Sequence, residues 1–80
     1  MKSTQYFLHV QQRPDRARIK TEWIEQTILD PVYTEIQTDG RIRKWKWIPE
    51  ENKFLRVILL ADGETVHNAF FDRSFKGISQ

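Results

Sequence analysis

His9 and His67 are the side chains of this chain that ordinarily titrate near neutral pH. Cleaving RNA through its 2′-hydroxyl needs a proton acceptor, a proton donor and positive charge around the phosphate. His9 and His67, with Arg13 and Arg56, contain those parts. Each histidine also fits an ordinary surface or half-buried position. Arg56 is the more telling residue, because it interrupts the apolar run Phe54-Leu55-Arg56-Val57-Ile58-Leu59-Leu60. A guanidinium there must find a carboxylate or reach an open surface. It either grips phosphate through its two-pronged fork or pairs internally, with Asp72 or Glu64 as candidates. His67 and Asn68 form a second polar pair among apolar residues, followed by Asp72 and Arg73, which together read as a local ion pair.

The remaining cations are grouped. Residues 1–20 carry Lys2, Arg13, Arg16, Arg18 and Lys20 against Asp15 alone, and residues 41–46 read Arg-Ile-Arg-Lys-Trp-Lys. Because 13 basic side chains nearly balance 11 acidic ones, a nucleic-acid surface would have to come from this segregation and not from net charge. Arg16, Arg18, Arg43, Lys44 and Lys46 are the candidate contacts. Trp45 and Trp47 alternate onto one face with Arg43. Interleaved with cations, they can stack on unpaired bases. They can equally be core, packed on a helix through Trp23, and this is the favoured expectation. Lys44 and Lys46 then point outward as a phosphate-contacting stripe.

Composition narrows the class. Eighty residues make one domain, with a core over about residues 6–73 and a loose tail containing Gly77. Apolar residues are 39% of the chain, enough for a core and too many for a disordered segment. There is no cysteine, the opening Met1–Gln5 stretch is polar, and no apolar run approaches the length of a membrane span. These features point to the cytoplasm and to no membrane partner. Two histidines without cysteine make a zinc site a poor expectation, and no cofactor or metal is expected. Glycine-rich phosphate loops and nucleophile elbows are missing from the sequence.

The elements that must position these residues read as β-α-α-β-β-β-β. Tyr6-Phe7-Leu8-His9-Val10 is β-prone and predicts a first strand. Pro14 suits the first turn of a short helix over about residues 14–18. Thr21 is the expected N-cap of a second helix, whose Trp23, Ile24, Thr27 and Ile28 share a stripe and which stops before Pro31. Strands follow at residues 32–37 and 41–48, joined at Asp39-Gly40, then at 54–60 and 64–71, joined at Asp62-Gly63. The strand at 54–60 reads as central and covered on both faces. The fold class is therefore α+β, with an N-terminal strand and two short helices on a twisted antiparallel sheet.

The run His9-x-x-x-Arg13, Ile19, then Glu22-Trp23-Ile24-Glu25 and Pro31, resembles a small bacterial domain related to the RelE/BrnT group of toxins. Asp39-Gly40-Arg41-Ile42, Leu55-Arg56-Val57-Ile58 and Asp62-Gly63-Glu64-Thr65-Val66 extend the resemblance to about residues 6–73. Ala17 stands where that family has a second arginine, flanked here by Arg16 and Arg18, and Val10 and Arg18 replace its usual alanine and glycine. The resemblance implies a RelE-like fold and metal-independent endoribonuclease activity, neutralised by an antitoxin protein. His9 or His67 would then move the proton, and Arg13 and Arg56 would hold phosphate. The alternative expectation is a non-catalytic module of the same fold that binds protein or nucleic acid. A homodimer through the last strand and Phe70-Phe71 is a further expectation.

Overall fold

A computed structural model describes residues 1–76. Helices α1 (Gln5–Val10), α2 (Pro14–Ala17) and α3 (Thr21–Leu29) precede strands β1 (Tyr33–Ile36), β2 (Ile42–Ile48), β3 (Lys53–Leu59) and β4 (Val66–Phe71). The strands form one antiparallel meander in the order β1-β2-β3-β4. The fold is α+β, as expected. No helix among the described residues is long and apolar enough to cross a membrane.

The expected first strand is instead helix α1. Thr4 caps it, its Oγ1 accepting from the Phe7 N–H at 3.0 Å, and Phe7 and Val10 bury one face three residues apart. The strand position is filled just upstream. Val66 N–H donates to the Lys2 carbonyl at 2.9 Å and Thr4 N–H donates to the Val66 carbonyl at 3.0 Å, a parallel bridge centred on Ser3. With these backbone needs met by residues 2–4, the β-prone run is free to bury its apolar residues at helical spacing.

Helix α3 buries Trp23, Ile24 and Thr27 and ends at Leu29, before Pro31, as the stripe implies. Its N-cap is Lys20, not Thr21, and no side chain caps it. Thr27 Oγ1 satisfies itself by donating to the Trp23 carbonyl at 2.8 Å. Gly40 and Gly63 take φ of +90° and +73°, the left-handed geometry that the two Asp-Gly turns require.

Phe7, Ile19, Trp23 and Ile24 pack on Ile48, Leu55, Val57, Leu59, Val66 and Ala69 to form the core. Burial alternates along β3, so helices cover one face only and the expectation of cover on both is corrected. The opposite face is closed locally by the chain after β4. Phe75 stacks on Trp45 at 4.6 Å and 11°, and Asp72 is buried. The tail expected to be loose is thus packed through Phe75, and the remainder, with Gly77, lies outside the described residues. A register shift between Ile58 and Leu59 leaves His67 without a partner in the β3–β4 ladder.

Candidate nucleic-acid interface

Trp45 lies opposite Arg56 in the β2–β3 register, so both occupy the face turned away from the helices. This overturns the expectation that Trp45 and Trp47 pack on the helix through Trp23. The Arg56 guanidinium lies 5.4 Å from the Trp45 ring and 5.2 Å from the Phe70 ring, with Asp72 Oδ2 at 3.7 Å. Asp72 also accepts from Trp45 Nε1 at 3.0 Å, and from the Ser74 N–H and hydroxyl at 3.0 and 2.7 Å. Burial works to raise the Asp72 carboxyl, but the bonds from Trp45 and Ser74 and the Arg56 charge outweigh it, and its pKa falls below the ordinary value. Arg56 is therefore the internally paired residue, with Asp72 as partner, and Arg73 does not pair with its neighbour among the described residues.

Lys44 and Lys46 belong to the helix-side face, where their register partners are Val57 and Leu55. Lys44 Nζ donates to the Ile28 carbonyl at 2.8 Å, and Lys46 Nζ donates to the Asp30 carbonyl at 3.1 Å and its carboxylate at 3.3 Å. Both ammonium groups satisfy carbonyls at the C-terminal end of α3, where the helix dipole favours positive charge. The expected outward phosphate stripe does not exist. Arg43 is likewise engaged, with Glu35 at 3.1 Å.

The histidines do not share a cleft with the arginines. His67 stacks on Tyr6 at 4.9 Å, and its Nδ1 lies 3.2 Å from Thr4 Oγ1. Burial, and then the Arg41 charge, lower its pKa and favour the neutral imidazole. His9 is exposed on α1, three residues beyond Tyr6, and Arg13 is exposed at the N-cap of α2.

The cations that do converge are Arg16, Arg18, Lys53 and Arg73. They line a groove of about 280 Å³ between α2 and the adjoining ends of β3 and β4, floored by Phe70 and Phe71. Arg16 is held by Asn68 Oδ1 at 2.8 Å and the Ala69 carbonyl at 3.3 Å, with its guanidinium 5.2 Å above Phe70. Lys53 Nζ sits 5.6 Å above Phe71. Asp15 and Glu51 offset part of the charge, Glu51 through Arg18 at 2.7 Å. Arg73 is exposed and has no ion-pair partner among the described residues.

Lys53 and Arg73 also border a second trough of about 400 Å³, lined by Trp47, Asn52, Phe54, Phe75 and Lys76. Trp47 is 39% exposed and meets Phe54 edge-to-face at 5.0 Å and 70°. A cationic groove thus opens beside an aromatic one, with two cations shared at the boundary. Of the sequence candidates, Arg16 and Arg18 belong to this surface. Lys53, Arg73, Lys76 and Phe54 were not legible as members, because only the β2–β3 turn and the chain after β4 bring them together. Trp47, one of the two tryptophans whose types allow stacking on a base, is the more exposed of the pair.

No family model matches this chain, and neither a curated protein nor a solved structure matches it.

Proposed function

We propose that the chain is a non-catalytic module that holds single-stranded nucleic acid, with phosphates in the groove of Arg16, Arg18, Lys53 and Arg73 and a base stacked on Trp47 and Phe54. The observation that carries this reading is the continuity of the two grooves through Lys53 and Arg73. Cations along a groove neutralise the backbone, while an exposed indole offers stacking that tolerates any base. The tightly held Arg16 is pre-organised, which reduces the entropy lost on binding.

The RelE-like, toxin-type endoribonuclease with an antitoxin partner has less support. It needs a proton-transfer group beside the phosphate site, and among the described residues neither His9 nor His67 lines the cationic groove. Arg56, its expected phosphate ligand, is occupied by Asp72.

Fluorescence anisotropy with a labelled single-stranded RNA tests the module. Wild type should bind with a log–log salt slope of roughly −2, the value for about three neutralised phosphates on a single strand. Lys53→Glu and Arg73→Glu should flatten that slope, and Trp47→Ala should weaken binding by about tenfold without changing it. Absence of binding at low salt would remove the reading. A denaturing gel of the same RNA should show it intact, whereas cleavage relieved by His67→Ala would restore the ribonuclease.

A further inference from the structure

Asp72 ends β4 and begins a short strap over the sheet face turned away from the helices. Its N–H donates to the Phe54 carbonyl at 2.9 Å, and its two carboxylate oxygens serve different partners. Oδ2 accepts from Trp45 Nε1, whereas Oδ1 accepts from the Ser74 N–H and hydroxyl. One oxygen therefore orients the indole and the other holds the strap. After Ser74, no hydrogen bond or ion pair holds the strap among the described residues, and its anchor is the Phe75 ring.

Phe75 lies against three aromatic rings. It is face-to-face with Trp45 at 4.6 Å and 11°, stacked on Tyr33 at 6.0 Å and 30°, and edge-on to Phe54 at 5.0 Å and 80°. Tyr33 and Trp45 are cross-strand neighbours with ring centroids 5.6 Å apart. A flat ring laid on an indole at so small an angle occupies the place that an unpaired base takes on a stacking platform. The same ring lines the trough of Trp47 and Phe54, so Phe75 stands between the platform and the trough.

Building on the single-stranded nucleic-acid reading above, on which this step rests, we infer that Tyr33 and Trp45 form a second base-stacking site. Phe75 fills it in the free protein, and a nucleobase of the bound strand displaces Phe75. Trp45 and Trp47 share a face of β2, about 7 Å apart along the strand, so neighbouring bases of an extended strand can use both. The rim favours a polyanion over an apolar peptide. Lys53, Arg73 and Lys76 border the trough, and its one carboxylate, Asp72, is engaged by Trp45, Ser74 and Arg56.

Displacement leaves the platform in place. Trp45 Nε1 keeps its bond to Asp72 Oδ2, and the Arg56 guanidinium remains 5.4 Å from the indole, because neither contact passes through Phe75. Affinity in the intact protein is lowered to the extent that the plugged form dominates, and removing the plug restores it.

Anisotropy of the labelled single-stranded RNA with full-length Phe75→Ala tests this. The variant should bind about tenfold tighter than wild type with the same salt slope, because the gain comes from stacking and not from phosphate. An RNA of the same length built of abasic nucleotides should show no gain. Ser74→Ala keeps the ring but removes one bond from the strap to Asp72, and should tighten binding by a smaller factor. Adding Tyr33→Ala to Phe75→Ala should cancel part of the gain. Circular dichroism establishes that each variant is folded, and if Phe75→Ala does not fold, Ser74→Ala decides. Unchanged or weaker RNA binding by the folded variants, with wild type still binding, overturns the second site and leaves the first in place. An equal gain on abasic RNA, or a gain for an aromatic peptide but not for RNA, overturns it too. No binding by wild type or by either variant removes both sites.

Discussion

Asp72→Ala should be the most damaging single polar substitution in this domain. Asp72 is 9% exposed and holds three partners: the Trp45 indole at 3.0 Å, Ser74 at 2.7 and 3.0 Å, and Arg56 at 3.7 Å. Removing the carboxylate orphans the Trp45 Nε1–H in a residue only 4% exposed, at about 1–3 kcal/mol. The Arg56 pair adds a smaller amount, since its 3.7 Å separation from Asp72 is too long for a hydrogen bond. Loss of the Ser74 bonds also loosens the segment that seats Phe75 on Trp45. The total is about 2–4 kcal/mol, against a stability of roughly 4–12 kcal/mol for a domain of this length. Urea unfolding at neutral pH measures it directly, and Tm should fall by ~10–25 °C. Asp72→Asn retains an acceptor for the indole and should cost about half as much. The pH dependence has a definite sign. A carboxyl whose pKa is lowered on folding contributes fully above the ordinary aspartate pKa of about 3.9, and the contribution is lost as pH falls through the folded value. The gap between wild type and Asp72→Asn should therefore narrow on acidification. An Asp72→Ala loss below about 0.5 kcal/mol would refute this account of the aromatic face.

Three further outcomes follow from the same geometry. In an NMR titration His67 should show a pKa below the ordinary histidine value, and Thr4→Ala, which removes the hydroxyl 3.2 Å from its Nδ1, should change that titration. Lys44→Met and Lys46→Met should each cost about 1 kcal/mol through the α3 carbonyls they release, and neither should weaken RNA binding in the anisotropy assay. Gly40→Ala, at φ +90°, should destabilise the β1–β2 turn by about 1 kcal/mol in thermal unfolding, although Ala61 Cβ at 3.6 Å leaves room for the added methyl.

Local chemistry in the sequence determined the α3 helix, its stop before Pro31, both Asp-Gly turns and the alternation of β2, because these depend on residues close in the chain. It also marked Arg56 as needing a partner and named Asp72 as a candidate. Tertiary structure decided what depends on distant contacts. Tyr6–Val10 has strand propensity, yet residues 2–4 pair with Val66 and leave that run to bury Phe7 and Val10 as a helix. Alternation placed Trp45 and Trp47 opposite Lys44 and Lys46, but it could not say which set faced the helices. The carbonyls at the end of α3 draw the lysines, and Phe75 with Asp72 covers Trp45. The cationic groove was hidden for the same reason: Arg16, Lys53 and Arg73 lie on three separate elements, and a sequence records their charges but not the fold that brings them together.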